Sequence, residues 1–498
     1  MAEIKKVLIA NRAEIAVRVI RTCKHLNIKT VAVYSEVDSG MPHVLLADES
    51  VCIGEASSSK SYLVMDKIIA AAKKTGADAI HPGYGFLSEN AIFAQLCADN
   101  GIIFIGPTPP AIEAMGDKTK ARELMKKHNV PLPPGTDSAL KDIAEAEEVA
   151  SRIGYPVMIK AAAGGGGKGM RIVYKKEDFT ASIRTARSEA MSAFGDDRVF
   201  VEKYLESPRH IEFQIMADTH GNIIHLFDRE CSVQRRHQKV VEEAPSPFLD
   251  DEMRLKMAET AIKAARSCNY VGAGTVEFLA DKHRNFYFLE MNTRLQVEHP
   301  VTEFITGLDL VEMQIRVAEG KKLPITQEDV TMKGHAIECR ICAENPDENF
   351  LPSTGFIKRH KIPSGPGVRV DSGIVAGQSV TINYDPLIAK LVTYGFNREQ
   401  AINRMRQALS EYEIAGCRTT IPFCSFTMNH PVFQSGTYDT HFIKDYFHPE
   451  KLMDGNTQIE SIAAVLLYEQ IKGNGVNGHL EMAESGNKSE PLWWSKRK

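Results

Sequence analysis

Tryptophan is nearly missing from this chain: Trp493 and Trp494 are the only two in 498 residues. No apolar run approaches the roughly 18 residues of a membrane span, and MAEIKKVLIA passes into a short strand without the longer apolar core of a secretory signal. Excess positive charge is missing as well. A formal net charge of -4 excludes a general attraction to nucleic acid or to an acidic membrane surface. A disulfide framework is also absent, because nine scattered cysteines are an odd count, which favours free thiols in a reducing, cytoplasmic compartment. The one C-x-x-C, Cys339 to Cys342, sits in the strand-like HAIECRICAE, where an odd separation sends the two sulfurs to opposite faces and no second pair completes a zinc site. No internal repeat of about 20 to 50 residues is present, and no G-x-G-x-x-G follows the first strand, where Asn11-Arg12-Ala13 stands instead.

With 43% hydrophobic side chains the chain can build several cored domains. Lys6–Ala10, an amphipathic helix over Glu14–Leu26 with Ile15, Val19, Ile20 and Leu26 inward, and Thr30–Tyr34 form a βαβ unit of parallel-sheet type. Short strands at Ala79-Ile80 and Ile102–Ile105 extend that sheet, and a first domain spans residues 1–115. A second, 116–332, contains an insertion at about 138–200 that reads helix, strand, loop, strand, helix and has the makings of a lid. Long alternating strands follow it, from Val201 to about Phe227. A third domain, 333–449, begins with strands and includes a helix around Arg398–Tyr412. Residues 450–498 read as a helix capped by Thr457 and Glu460 and stopped at Gly473, then a polar, Gly-rich tail. The two tryptophans in that tail have the composition of a docking segment.

The densest chemistry lies in EMNTRLQVEHPVTE, residues 290–303. If the strand that leads into it continues, Arg294, Gln296 and Glu298 share one face, offering a cation, an amide and a base. Glu277 and Glu290 fall on strands that the turn Asp281–Asn285 makes antiparallel neighbours, and two adjacent carboxylates call for a cation such as magnesium, with Asn292 as a further oxygen ligand, unless both are solvated on a strand edge. Lys160 precedes Gly164–Gly167 and Lys168 between two strands, a flexible hairpin whose exposed N–H groups suit polyphosphate, unlike a Walker A loop that opens a helix. An ordinary flexible hairpin is the competing reading. Gln234, Arg235, Arg236, His237 and Lys239 form a basic cluster fit for a small anion or, alternatively, a solvated turn. His81–Gly85, with Tyr84, is a loop at a strand end where α/β sheets bind ligands, or equally a structural turn.

Taken together, MGDK, IKAAAGGGGKGM, EKYLESPRHIEFQ, CSVQRRHQKVVEEAP and EMNTRLQVEHPVTE resemble biotin carboxylase, of the ATP-grasp family, in order over about residues 1–449. The resemblance implies an α/β and α+β fold: a Rossmann-like N-terminal domain, an ATP-grasp domain with a mobile glycine-rich lid, and a mixed α+β C-terminal domain. It assigns Lys118 and Lys160 to phosphate, Gly164, Gly165, Gly166 and Gly167 to the lid loop, and Glu202, Lys203, Tyr204 and Leu205 to the adenine hinge. His210, Gln234 and His237 become further nucleotide contacts, and Glu277, Glu290 and Asn292 the ligands of Mg2+ or Mn2+, two ions in all. Bicarbonate falls to Lys239, Arg294, Gln296, the Val297 backbone and Glu298, and the biotin ureido group to Arg340 with Tyr84 nearby.

The activity so implied is an ATP-dependent ligation in which Glu298 takes the bicarbonate proton, carboxyphosphate forms, and biotin is carboxylated. Ala13 departs from the resemblance, since the family usually has glycine in ANRGEIA. No A-M-K-M segment is present, so biotin would be supplied on a separate carrier protein, with separate carboxyltransferase subunits and a homodimeric assembly. GGGGKGM and EMNTRLQVEHPVTE look more like acetyl- or propionyl-CoA-type carboxylases than like pyruvate carboxylase. Two alternatives stand beside this reading: another ATP-grasp ligase joining a carboxylate to an amine, which would not need Arg294, Gln296 and Glu298, and a silent subunit that binds ATP for regulation.

Overall fold

The computed structural model describes residues 3–136, 138–140, 142–162, 170–449 and 466. Residues 1–447 form one compact unit. The Gly164–Gly167 loop, the helix expected from Thr457 and the Trp493-Trp494 pair lie outside the described residues.

Val7, Leu8 and Ile9 are completely buried in the strand Lys6–Ile9, the centre of a five-stranded parallel sheet. Lys29–Ser35 and Glu49–Gly54 flank it on one side, Ala79–His81 and Ile103–Phe104 on the other. The helix Ala13–His25 packs Ile15, Val19 and Ile20 inward, as its 3.6-residue spacing requires. Its first residue, Ala13, has φ +55°, left-handed backbone that suits glycine better. Gly373 lies against this turn, and a Cβ there would come within 2.7 Å of Ala13 Cα.

An eight-stranded antiparallel sheet dominates the rest. Its spatial order is Phe286–Asn292, Gly272–Ala280, Arg209–Ala217, Ile223–Arg235, Gln238–Ala244, His335–Cys342, Leu387–Gly395 and Val368–Ser372. The ladder therefore runs without a break across residues 332 and 333, because Gln238–Ala244 pairs with His335–Cys342. Arg236 and His237 have φ +50° and +70°, the two left-handed positions of a tight hairpin turn, so the basic run sits on a reversal of the chain.

The insertion expected near 138–200 is a separate three-stranded sheet, Arg171–Val173, Val157–Ala161 and Val199–Lys203, backed by the helices Ile143–Ile153 and Phe179–Phe194. It has its own core of Val157, Ile159, Val173, Phe179, Ile183 and Val201. Ion pairs link remote segments: Arg18 reaches Glu303 at 2.7 Å and Asp309 at 2.9 Å, and Arg369 reaches Glu303 at 2.7 Å. Cys339 and Cys342 are buried free thiols on one strand. Among the described residues no helix is long and apolar enough to cross a membrane.

Candidate active site

Strand periodicity sets His210, Glu212 and Gln214 on one face of Arg209–Ala217. The register then lines up three glutamates across three strands, with Glu277 opposite Glu212 on one side and Glu290 on the other. Like charges placed directly opposite each other repel. Lys239, entering after the hairpin turn, answers them: its ammonium pairs with Glu212, with Glu277 Oε1 at 2.9 Å and with Glu298 Oε1 at 2.7 Å. His210 Nε2 lies 2.9 Å from Glu277 Oε2.

Below this row Arg229 is fully buried and spends all five N–H groups. Nε donates to Glu212 at 2.6 Å, Nη1 to Gln214 at 2.7 Å and Thr302 at 3.1 Å, Nη2 to Gln296 at 2.6 Å and Thr275 at 3.1 Å. Gln296 passes the restraint on, donating to Glu277 Oε1 at 2.7 Å. The strand Phe286–Asn292 ends before this point, so Arg294, Gln296 and Glu298 do not share the face of a continuing strand. A turn carries them instead, because Gln296 and Glu298 must reach inward for buried partners that an extended chain would pass by. Arg294 turns another way: Nε donates to Glu89 at 2.8 Å and Nη2 to Asn292 Oδ1 at 2.9 Å.

Glu298, 1% exposed, sits between two cations, Lys239 at 2.7 Å and Arg340 Nη2 at 2.9 Å. Arg340 Nε also donates to Glu242 at 2.5 Å. The Val297 carbonyl accepts from Lys390 Nζ at 2.9 Å, and that ammonium lies 5.8 Å from the centre of the Tyr84 ring and 3.2 Å from Glu14. The Tyr84 hydroxyl is buried and has no hydrogen-bond partner among the described residues.

The remaining expected residues are spread over the insertion and its borders, the helix Lys118–Lys127 and the hairpin after Gln234. Lys160 pairs with Glu202, which Arg122 also reaches at 3.1 Å. Lys203 Nζ donates to the carbonyls of Gly154 and Tyr155, and Tyr204 N to that of Pro156. Leu205 is half-buried and Lys118 exposed at the start of the helix Lys118–Lys127. Gln234 donates to the Cys231 carbonyl at 2.7 Å, and His237 is exposed on the hairpin turn.

Burial raises every carboxyl here, and the neighbouring cations decide the outcome. Lys239 and His210 hold Glu277 well below its ordinary value, and Lys239 with Arg340 draws Glu298 down against burial and Glu212. His210 goes up to about 9 because Glu277 and Glu212 outweigh its desolvation. Glu290 is raised by burial and by Glu277, with the Lys118 charge opposing. That residual repulsion between Glu277 and Glu290 is what a divalent cation would relieve, and carboxylate oxygens suit magnesium or manganese. The Asn292 oxygen accepts one hydrogen bond from Arg294 and keeps a second lone pair with which it could ligate.

Sequence pattern does not single out Glu212, Arg229, Glu242, Glu89 or Lys390. Glu212 was findable, since it lies two residues from His210 on a strand. Arg229, Glu89 and Lys390 act through contacts between remote segments and leave no local signal.

Models of known families match three stretches of the chain: biotin carboxylase N-terminal domain at residues 3–112, the ATP-binding domain of carbamoyl-phosphate synthase L chain at 117–326, and biotin carboxylase C-terminal domain at 338–445. A biotin carboxylase of Nostoc sp. is 55% identical over 440 residues, 88% of this chain and 98% of that protein. A pyruvate carboxylase subunit of Methanothermobacter thermautotrophicus is 55% identical over 441 residues, 89% of this chain and 90% of that one. Among solved structures, the biotin carboxylase domain dimer of Hydrogenobacter thermophilus 2-oxoglutarate carboxylase, in complex with MgADP, ADP and bicarbonate, superposes with TM-score 0.84 at 49% identity, covering 90% of this chain and 99% of that one.

Proposed function

The chain belongs to the biotin carboxylase family, and from that membership we infer how its site works and which holoenzyme it serves. It is an ATP-dependent ligase that carboxylates biotin with bicarbonate. The observation that carries the reading of the site is the position of Glu298, a buried carboxylate clamped by Lys239 and Arg340.

Lys118, Lys160 and the glycines 164–167 hold the nucleotide phosphates, Glu202, Lys203, Tyr204 and Leu205 take the adenine, and His210, Gln234 and His237 complete the nucleotide contacts. Glu277 and Glu290, with Asn292, hold magnesium or manganese, which when bound neutralises phosphate charge. Bicarbonate lies against Lys239, Arg294, Gln296 and the Val297 backbone. Glu298 removes its proton as oxygen attacks the γ-phosphorus, giving carboxyphosphate and ADP. As Lys239 turns to bicarbonate and Arg340 to the biotin ureido oxygen, Glu298 loses the two cations that depress its basicity and becomes a stronger base. Carboxyphosphate breaks down to carbon dioxide and phosphate, the phosphate takes the N1 proton, and Arg340 stabilises the ureido anion beside Tyr84. Closing the insertion excludes water from the mixed anhydride.

In this assignment residues 1–115, 116–332 and 333–449 divide the work as ureido-side wall, nucleotide site and Arg340 donor. The chain works in the cytoplasm as a homodimer, with biotin on a separate carrier and carboxyltransferase in separate subunits. Its motifs favour an acyl-CoA carboxylase, and the likeness to a pyruvate carboxylase component supports the alternative acceptor. ADP release should require both bicarbonate and biotin, and turnover that needs neither refutes the reading. Assay of the copurified native complex on acetyl-CoA, propionyl-CoA and pyruvate decides the acceptor.

A further inference from the structure

Two carboxyl groups beside the site have no part in the chemistry above. Glu242 and Glu338 stand directly opposite each other on adjacent antiparallel strands, where facing Cβ atoms are about 5 Å apart. They are 1% and 0% exposed. Glu242 Oε1 accepts from Arg340 Nε, whereas Glu242 Oε2 and both Glu338 oxygens have no hydrogen-bond partner among the described residues.

The surrounding cations are committed elsewhere. Lys239 is shared by Glu212, Glu277 and Glu298, Lys390 serves Val297 and Glu14, and Arg340 is divided between Glu242 and Glu298. From the helix His299–Thr306, packed on the same strand, His299 contributes no charge, since burial drives it well below its ordinary value. From the helix Arg398–Glu411, Arg398 is bound to Glu243. From the strand Ile223–Arg235, the Cys231 thiol is kept neutral by burial. A second buried carboxylate without a cation is costly, so a proton is the economical substitute. Burial pushes Glu242 up to about 7, and burial with Glu242 as neighbour pushes Glu338 well above its ordinary range.

We propose that Glu242 and Glu338 act as one carboxyl pair holding one proton and one negative charge, and that this single charge positions Arg340 for the substrate oxygen. The proposal rests on the reading that Arg340 meets the biotin ureido group. Both glutamates are positioning residues. With the proton in place, Glu242 anchors Nε while most of the guanidinium charge remains for the developing anion. Without it, two carboxylates and Glu298 surround Arg340, draw it back into the sheet and cancel its charge. Carboxylation should therefore fall on the alkaline side when the pair, as a unit, loses its proton.

The test is kinetics with free biotin, ATP and bicarbonate across pH, with infrared spectra of the same proteins. Glu338→Gln keeps the shape and cannot ionise, so it should lose the alkaline fall in kcat/KM for biotin while KM for ATP stays unchanged. Glu242→Gln should lower kcat/KM for biotin by about 10²-fold at every pH, the cost of a misplaced Arg340. Infrared difference spectra at about pH 7 should show a protonated carboxyl that the wild-type protein has and Glu338→Gln lacks, over those common to both proteins such as Glu14. A wild-type alkaline limb in Glu338→Gln overturns the proposal. So does the lack of any protonated carboxyl in the wild type at that pH, a reading that needs no variant to fold. Arg340→Lys with unchanged biotin kinetics would instead refute the role of Arg340 itself, leaving the infrared result to judge the pair.

Discussion

Glu298 shows how a carboxylate can be kept ionised in a nearly dry place, with Lys239 and Arg340 on its two oxygens. On the proposed reading it would become basic only as substrates draw those cations away. Glu298→Gln should lower kcat by about 10² to 10⁴-fold, as loss of a general base does, with nucleotide affinity unchanged in equilibrium titration. Arg229 is the structural counterpart, since its removal takes one of the cations from the buried Glu212, leaving it Lys239, and leaves the buried oxygens of Gln214 and Gln296 without their donor. Arg229→Leu should cost about 3 to 5 kcal/mol of stability, measured as a shift of the denaturant midpoint. The chemistry of the Glu290–Glu303 segment was legible because so many polar groups follow an apolar strand. Arg229 was not, because its five partners come from three separate stretches of chain.

Among the elements, the turn into the first helix carries a local strain. Ala13 occupies left-handed backbone, which costs a residue with a Cβ about 1 to 2 kcal/mol. Ala13→Gly should therefore raise stability by up to about 1 kcal/mol once the extra freedom of glycine in the unfolded chain is subtracted. The measurement is thermal or denaturant unfolding of the two proteins; a less stable variant would mean the helix start tolerates its alanine. The sequence pattern located this helix to within a residue at each end, because its apolar spacing is regular. The same reasoning failed after Asn292, where alternation of side chains suggested a strand but tertiary partners for Gln296 and Glu298 bend the chain. It left the basic run open between an anion-binding cluster and a solvated turn, since nothing in the spacing marks Arg236 and His237 as two consecutive left-handed residues.

For the whole molecule, pH should act at two ends. Burial raises Glu14 from 4.5 to about 7, so the folded state holds a proton that the unfolded state releases between those values. Stability contributed there is present below the unfolded value and declines as pH rises towards 7. Glu243 and Asp371, each lowered to about 2 by partners including Arg398 and Arg369, work in the opposite sense: their stabilisation is present above the ordinary carboxylate values and is lost as pH falls towards 2. Glu14→Gln should make the decline between about pH 5 and pH 7 shallower, with Glu242 and Glu338 still contributing, and leave the acid limb in place, as read from unfolding midpoints at each pH. Equal slopes for the two proteins would exclude Glu14 as the source.

Three stretches that read as successive modules are therefore not interchangeable parts. Lys239 and Arg340 project from neighbouring strands of a single ladder, so the groups that would meet bicarbonate and biotin ride on one rigid frame. A chimera that imports only the final third from a distant relative would graft a new rung beside an old one, and would have to import the opposing strand with it to keep the guanidinium and its carboxylates in step.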